Sequence, residues 1–224
     1  MTRIAGSHGP TTAAAIRHAS LRLIHKHGFE AMTLRQLAAE VGLQSASLYN
    51  HISTKQELLH TLILDHMQAL LADLDAALAQ AGSRPVDRLR AFISHHLLYH
   101  MERKLEVFVA NFELRALSTA NYRVIVGLRR RYEEQLIALL DEGVGEGQIR
   151  APDTKITAYA LLAMLTGACT WYKLDGRLSK ADVVRLHTDL VLRGCLESDA
   201  HSQACAAGAR SRGKQSAAAA SRGK

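Results

Sequence analysis

The residues with the clearest capacity for chemistry lie in the segment VGLQSASLYNHISTKQELL, residues 41–59. Its middle carries small hydroxyl and amide side chains, which both donate and accept hydrogen bonds. A catalytic loop would more often pair a nucleophile with a nearby base, and a core helix would carry bulkier apolar side chains. The segment fits neither description. These residue types therefore predict a surface that recognises a polar partner by direct contact.

The elements that hold this segment are predicted to be a helix, a tight turn and a second helix. Thr33 suits the N-cap of a short helix whose apolar residues recur at helical spacing. Gly42 suits the turn, because a chain reversal between helices favours a residue that accepts a positive φ. A second helix is predicted over residues 45–51, and Ser53 with Gln56 predicts a capping box that opens the next helix. This arrangement is a helix-turn-helix.

A helix with small outer side chains can enter the DNA major groove, which is about 12 Å wide. Three apolar residues are expected to pack inward instead: Leu43, Leu48 and Ile52. Helix starts favour phosphates, because free backbone N–H groups and the helix dipole attract anions there. The predicted DNA contacts are Thr33, Gln44, Ser45, Ala46, Ser47, Tyr49, Asn50, His51 and Lys55. The alternative is a small three-helix core whose polar surface has no partner.

The charge distribution agrees with a nucleic-acid partner for the N-terminal module. The net charge of +7 is divided unevenly: residues 1–10 carry +1, residues 11–60 carry +2 with five histidines, and residues 198–224 carry +4. Residues 61–197 hold 17 basic and 17 acidic side chains and are neutral. The basic module is suited to DNA, whereas the basic tail alone could be a solvated extension.

The remaining sequence predicts helices and no sheet. Apolar residues recur at helical spacing, and no useful alternating pattern or fixed repeat occurs. Helices are expected near residues 12–27, 53–81, 86–101, 104–117, 119–142, 154–174 and 180–194. The chain is therefore predicted to be all-α. Its predicted divisions are a flexible N-terminus (1–10), a helix-turn-helix domain (11–60), a larger helical domain (61–197) and a disordered basic tail (198–224).

Several classes of protein are not favoured by the sequence. No run of 18 apolar residues predicts a membrane span, and no secretory signal is visible at the N-terminus. The three cysteines lack C-x-x-C spacing, which predicts reduced thiols and a cytoplasmic protein. No nucleophile–base motif, phosphate loop or metal motif occurs, so we expect no enzyme, no cofactor and no metal. His96 and His100 share a helix face, but no third ligand type joins them in a known pattern.

Residues 12–60 resemble the N-terminal domain of the TetR family of bacterial transcription regulators. The resemblance is carried by TLRQLAAEVGLQSASLYNHISTKQELL, with its glycine turn, its LY-H group and its K-EL group. Gln44 stands where Ser is common in the family, Ala46 where Gly is common, and Ile52 where Phe is common. The resemblance implies an N-terminal three-helix DNA-binding domain followed by a larger helical domain that dimerises and binds a small effector.

A homodimer is also indicated by small residues near the end of the larger domain. ITAYALLAMLTGACTWY interleaves small side chains with large apolar ones, so helices can approach closely. The last helix carries Val183, Leu186, Leu190 and Val191 on one predicted stripe. Two such helices from each subunit would form a four-helix interface, although a core within one chain is the alternative. The predicted interface residues are Ala160, Ala163, Gly167, Trp171, Leu186 and Leu190.

The segments LRALSTANYRVIVGLRRRYEEQLIALLDEGVGEGQI and WYKLDGRLS are similar, more weakly, to TetR-family regulators of fatty-acid and steroid-ring breakdown that respond to acyl-CoA thioesters. An acyl-CoA needs an apolar tunnel for its acyl chain and cations for its phosphates. The predicted pocket residues are Phe92, His96, Tyr99, Phe108, Phe112, Trp171 and Arg129, and Arg130, Arg131, Lys173 and Arg177 are further candidate cations. The alternatives are ordinary core for the aromatic residues and a solvated face for the cations.

The leading functional hypothesis is a dimeric repressor that a hydrophobic small molecule, such as an acyl-CoA, releases from its operator. An enzyme would require a catalytic constellation that the sequence lacks. A DNA-binding protein without an effector is the remaining alternative, and ligand-insensitive DNA affinity would be its mark.

Overall fold

The computed structural model describes residues 9–195, and within that range the chain is helical and contains no strand. The helices are α1 Gly9–His27, α2 Leu34–Glu40, α3 Ser45–Leu48, α4 Lys55–Gln80, α5 Pro85–Glu102, α6 Lys104–Phe112, α7 Thr119–Gly145, α8 Thr154–Trp171 and α9 Lys180–Cys195, with a 3₁₀ helix, Leu114–Ala116, after α6. The predicted all-α class is confirmed. The predicted tail (198–224) and residues 1–8 of the predicted flexible N-terminus lie outside the described residues, whereas Gly9 and Pro10 belong to α1.

The start of α4 differs from the predicted capping box. Thr54, not Ser53, is the N-cap, and its side chain accepts a hydrogen bond from the Glu57 backbone at 3.0 Å. A complete capping box occurs instead at α2. There the Thr33 hydroxyl accepts from the Gln36 backbone at 3.2 Å, and the Gln36 side chain accepts from the Thr33 backbone at 2.8 Å. The prediction failed because adjacent hydroxyl residues offered two possible caps one residue apart.

The predicted helix over residues 104–117 is interrupted. α6 ends at Phe112, and a 3₁₀ turn follows. Gln56 of α4 holds the end of this 3₁₀ turn, because its side-chain amide donates to Ala116 O at 2.7 Å and accepts from Ser118 N at 3.2 Å. These backbone groups are thereby engaged by a distant side chain instead of by a continuing helix.

One continuous hydrophobic core runs through the N-terminal helices and the larger bundle. Near the N-terminus, Ile24, Leu37 and Leu48 of α1, α2 and α3 are fully buried, and α5 fills the centre of the larger bundle with contacts to α4, α7, α8 and α9. Each such side chain stabilises the fold by about 1.5–3 kcal/mol when it is removed from water. α4 is roughly 40 Å long and contributes buried residues to this core along most of its length, while α6 packs on both α1 and α4. The predicted domain boundary at residues 60–61 therefore falls inside a continuous helix.

The described helices lack the features of a membrane-spanning helix. None of those between residues 9 and 195 combines the length and the apolar character needed to cross a bilayer.

Candidate functional site

The turn between α2 and α3 has the geometry predicted for Gly42. This residue has φ +69°, in the left-handed region that glycine occupies without strain. The backbone of Leu43 donates to Ala38 O at 2.8 Å, and that of Gly42 donates to Ala39 O at 3.2 Å. This pair of hydrogen bonds is the Schellman arrangement, which satisfies the free carbonyl groups at a helix end and reverses the chain. It fixes the angle at which α3 leaves α2.

The α-helical part of α3 is shorter than predicted. It covers Ser45–Leu48, and the next residues form a tight turn in which His51 N donates to Leu48 O at 2.9 Å. Gln44 occupies the N-cap position, but its side chain makes no capping hydrogen bond. Leu48 and Ile52 are buried as predicted, and Leu43 packs partly against the same core.

Most of the side chains predicted to contact DNA are exposed to solvent, and we call this set the reading surface. Its exposed residues are Thr33, Gln44, Ser45, Ala46, Tyr49, Asn50 and His51, and Ser47 is half-buried. Tyr49 leaves 58% of its surface exposed although it is aromatic. An exposed aromatic ring beside small polar groups is suited to contact with a partner rather than to packing in the core.

Lys55 has a structural contact that the sequence did not predict. Its Nζ donates to Glu30 O at 3.0 Å and lies 4.4 Å from the centre of the Phe29 ring. The side chain therefore ties the first turn of α4 to the loop between α1 and α2. If Lys55 also binds a phosphate, its ammonium group must donate to the phosphate and to Glu30 O at the same time, and it has only three N–H donors.

A cavity of about 760 Å³ lies between α6, α7 and α8, and we call it the outer cavity. Its wall is largely apolar, with Val107, Phe108, Phe112 and Leu162, and includes the cations Lys104 and Arg129. His25 at the end of α1 completes the wall and contacts the Phe108 ring edge-on, with 4.5 Å between ring centres. The first helix of the N-terminal module is thus part of the cavity.

A smaller space of about 160 Å³, which we call the inner chamber, adjoins the outer cavity. The two share four lining residues: Asn111, Arg129, Leu162 and Thr166. The inner chamber is more polar and is also lined by His66, His96, His100, Tyr132 and Glu133. Arg129 donates to Asn111 Oδ1 at 2.8 Å and to Ala110 O at 3.3 Å, and its burial lowers its pKa.

The three histidines of the inner chamber are held neutral. Burial lowers the pKa of His66 to about 3 and that of His100 to about 4, and it places the pKa of His96 well below its ordinary value. His96 is bonded to Tyr132 Oη and to Thr166 Oγ1, both at 3.0 Å, and its ring stacks on His100 with centres 3.8 Å apart. A neutral imidazole offers one donor and one acceptor, so these rings can recognise a polar ligand without carrying charge.

The predicted pocket residues are divided among several places. Phe108, Phe112 and Arg129 line the outer cavity, and His96 and Arg129 line the inner chamber. Phe92 and Tyr99 are buried behind the chamber, where Tyr99 Oη donates to His66 O at 3.1 Å. Trp171 lies outside both spaces and stacks on His187. Neither space is lined by the other candidate cations, Arg130, Arg131, Lys173 and Arg177.

Several lining residues were not predicted from the sequence: His25, His66, Lys104, Tyr132 and Thr166. They come from five different helices, so no local spacing could have grouped them. His100 was visible as the partner of His96 at helical spacing, but its place in a chamber was not. Between residues 9 and 195, no group of three or more His, Cys, Asp or Glu side chains is arranged to hold a metal ion.

The residues predicted at a dimer interface lie along an apolar surface of α8 and α9. Leu186 and Leu190 are 43% and 60% exposed, and Trp171 is half exposed. Val183 and Val191 are buried, so the single stripe predicted for α9 is in fact two faces. Ala160 and Ala163 are exposed, and Ala163 and Gly167 also line the outer cavity. Leu186 and Leu190 are one helical turn apart, and exposed apolar side chains that adjoin in this way are typical of an interface.

Two family profiles match the chain. One, described as "Bacterial regulatory proteins, tetR family", matches residues 16–62, and the other, described as "Tetracyclin repressor-like, C-terminal domain", matches residues 82–195. The chain belongs to the TetR family. Its membership confirms the resemblance of residues 12–60 and the helix-turn-helix followed by a larger helical domain.

Individual TetR-family proteins are similar over most of their length. The transcriptional repressor KstR2 of Mycolicibacterium smegmatis is 27% identical over 174 residues, which cover 76% of this chain and 84% of that protein. The regulator PfmR of Thermus thermophilus is 32% identical with a TM-score of 0.72, over 80% of this chain and 97% of that one. The structure of AibR with isovaleryl coenzyme A and operator DNA is 26% identical with a TM-score of 0.73, over the same shares of the two chains.

TetR-family membership makes this chain a DNA-binding transcriptional regulator and not an enzyme. The relatives named as repressors support repression as its mode of action.

Proposed function

We propose that the protein is a homodimeric repressor that an acyl-CoA thioester releases from its operator. The observation that carries the proposal is the position of His25, which belongs to α1 of the DNA-binding module and also forms part of the outer cavity wall. A ligand that fills the cavity would contact both the larger bundle and the module that binds DNA. The similar protein AibR, whose structure holds isovaleryl coenzyme A and operator DNA, supports this class of effector.

The reading surface is proposed to bind the major groove. Ser45, Ala46, Ser47 and Asn50 would face base edges, with Gln44 at the entrance of the helix. The residues proposed for phosphates are Thr33, Tyr49, His51 and Lys55. Two such surfaces in a dimer would have to lie about one helical turn of DNA apart, about 34–36 Å, to engage both half-sites.

The apolar surface of α8 and α9 is proposed as the dimer interface. Leu186, Leu190 and Trp171 expose large apolar side chains there, and Ala160 and Ala163 leave room for the partner's helix to approach. Two-fold symmetry would bring the same surface of each subunit together into a four-helix contact.

The outer cavity is proposed to hold the acyl chain and the thioester. Val107, Phe108, Phe112 and Leu162 offer apolar contact to the chain. Lys104 is the cation in the wall best placed to meet an anion, although it already donates to Tyr172 O. A volume of about 760 Å³ lies within the range of small-molecule sites, which is about 300–1,000 Å³.

The coupling between ligand and DNA is proposed to pass through α6. Its end is bonded to the DNA-binding module, because Glu113 Oε1 accepts from Phe29 N at 3.1 Å. Gln56 of α4 holds the turn that follows. A ligand that displaces Phe108 or Phe112 would shift these contacts, and a small rotation of one module prevents both half-sites from binding together.

The experiment begins with an operator that the full-length protein selects from a random-sequence DNA pool. Operator binding and thermal unfolding are then measured with butyryl-, hexanoyl- and octanoyl-CoA and with free CoA. At a concentration 100 times its Kd, a ligand of the folded state stabilises that state by about 2.7 kcal/mol, so Tm should rise as DNA is released. Free CoA should do neither. Operator binding that no acyl-CoA changes would instead indicate a DNA-binding protein without an effector.

A matched pair of variants locates the effect. Leu162→Trp fills the space shared by the outer cavity and the inner chamber, and Leu98→Trp places the same bulk on the exposed side of α5. Leu162→Trp should keep operator binding but lose release by acyl-CoA, and Leu98→Trp should behave as the unsubstituted protein does. Equal release from both variants would place the ligand elsewhere.

A further inference from the structure

We infer that the inner chamber binds a hydroxyl group on the acyl chain of the effector, so that the protein responds to hydroxyacyl thioesters in preference to plain acyl thioesters. This inference rests on the proposed function, because it assumes an acyl chain in the outer cavity. It concerns the end of the chain, where the apolar wall gives way to histidines, a tyrosine and an arginine.

The tautomer of His100 carries the inference. Its Nδ1 lies 2.7 Å from His96 O, and a carbonyl oxygen only accepts, so Nδ1 bears the proton. The ring is neutral because burial lowers its pKa to about 4. Nε2 therefore presents a lone pair, and no residue between 9 and 195 forms a hydrogen bond to it. A ligand that satisfies this atom must donate a hydrogen bond.

Arg129 supplies the complementary group in the same chamber. It uses Nη1 and Nη2 to donate to Ala110 O and Asn111 Oδ1, which leaves other N–H groups of the guanidinium for a ligand. A hydroxyl oxygen can accept from Arg129 while its hydrogen is donated to His100 Nε2. A ketone could use only Arg129, and a methyl group could use neither.

Two further observations favour a neutral polar group over a carboxylate. Glu133 lines the chamber one helical turn from Arg129, so the fixed charges of these two residues oppose each other and the neutral histidines add none. His66 Nδ1 is also buried without a hydrogen-bond partner among the described residues. Burying an unpaired polar atom is unfavourable, and a hydroxyl-bearing guest within hydrogen-bond reach of His66 Nδ1 removes part of that penalty.

The test uses sets of CoA thioesters with matched carbon skeletons and the full-length protein. For acyl chains of four, six and eight carbons, Kd is measured by calorimetry for the plain form, the form with a hydroxyl on the carbon before the last, and the form with a ketone there. At the length that reaches the chamber, the hydroxyl form should bind roughly tenfold more tightly than the plain form and several-fold more tightly than the ketone, the range expected for one or two hydrogen bonds to buried groups.

Two variants separate the roles of the chamber residues. His100→Phe keeps a flat ring against His96 but removes the lone pair, so the hydroxyl form should bind no better than the ketone. Arg129→Met should remove the higher affinity that the hydroxyl and ketone forms have relative to the plain form. His95→Phe is the matched control, because His95 lies on the same helix and does not line the chamber. It should keep the full preference.

The outcomes are distinct. If acyl-CoAs bind but no hydroxyl form gains affinity at any of the three lengths, the inference is wrong and the proposed function stands, with water as the group that satisfies His100. If no acyl-CoA binds at all, both fail. If His100→Phe unfolds, the three ligand series on the unsubstituted protein still decide the question.

Discussion

At the scale of single residues, Lys55 and Tyr49 both belong to the proposed phosphate-binding set, yet their surroundings differ. Lys55 bonds to Glu30 O and lies over the Phe29 ring, whereas Tyr49 is largely exposed. Lys55→Ala should therefore lower both Tm and DNA affinity, with about 1 kcal/mol lost from the free energy of unfolding. Tyr49→Ala should lower DNA affinity alone. Thermal unfolding and fluorescence anisotropy over a series of salt concentrations measure the two effects, and an unchanged Tm for Lys55→Ala would contradict the structural tie.

The histidines of the inner chamber give a pH prediction at the same scale. In the unfolded chain a histidine has a pKa of about 6.5. In the folded chain burial lowers the pKa of His66 to about 3 and that of His100 to about 4. Below pH 6.5 the unfolded state therefore binds more protons. The contribution of these neutral histidines to the free energy of unfolding is fully present above about pH 7. It decreases as the pH drops from about 6.5 towards 4, by up to about 1.4 kcal/mol per pH unit for each histidine.

Urea unfolding between pH 8 and pH 4.5 checks this dependence. His100→Phe removes one of the groups and should reduce the slope of stability against pH by up to about 1.4 kcal/mol per pH unit below pH 6.5. Leu98→Phe is the control, since it adds an aromatic ring on the exposed side of α5 without removing a titratable group. Its slope should match that of the unsubstituted protein, and equal slopes for all three proteins would contradict the assignment.

At the scale of elements, the turn before α3 depends on one backbone conformation. Gly42 has φ +69°, and a Cβ added there meets no atom within 4 Å, so strain in Gly42→Ala comes from the backbone alone. The expected loss is about 1–2 kcal/mol of stability, together with weaker DNA binding because the angle of α3 changes. Gly127→Ala, on the exposed face of α7, also meets no atom within 4 Å but has helical φ, so it should be neutral or stabilising by up to about 1 kcal/mol.

Unfolding midpoints of the two alanine variants, with operator affinities, decide this point. Equal midpoints would mean that the turn relaxes into another conformation without loss.

The elements also show which features the sequence could predict. Thr33, Gly42 and the period of the apolar residues act within a few residues, so the helix-turn-helix was readable locally. The end of the 3₁₀ turn after α6 was not, because Gln56, 60 residues earlier in the chain, bonds to Ala116 O there. The outer cavity could not be predicted for the same reason, since His25 and Thr166 come together in its wall only in the folded chain. Ser53 and Thr54 could both cap the start of α4, and the N-cap predicted from the sequence, Ser53, was wrong.

At the scale of the whole molecule, one helix serves two proposed surfaces. α8 contributes Ala163 and Gly167 to the outer cavity, and with α9 it exposes the apolar surface proposed for the dimer. Effector and partner subunit would thus contact adjoining faces of the same helix, which share Ala163 and Gly167. A ligand that shifts α8 would change its contacts with the partner subunit across the two-fold axis and would also displace α1. Both subunits would therefore respond together.

This double role can be resolved with two variants. Leu190→Glu puts a charge on the exposed apolar surface of α9, so it should give a monomer in sedimentation and weak operator binding, because one reading surface engages only one half-site. If Gly167 lies at the dimer interface, as the sequence predicts, Gly167→Leu should separate the subunits by overpacking, which costs about 1–3 kcal/mol per site. Gly167 also faces the outer cavity, and a Cβ there meets no atom within 4 Å. Loss of acyl-CoA affinity in a Gly167→Leu dimer would assign this glycine to the ligand, whereas a monomer would assign it to the interface; a fully dimeric Leu190→Glu protein would remove α9 from the interface.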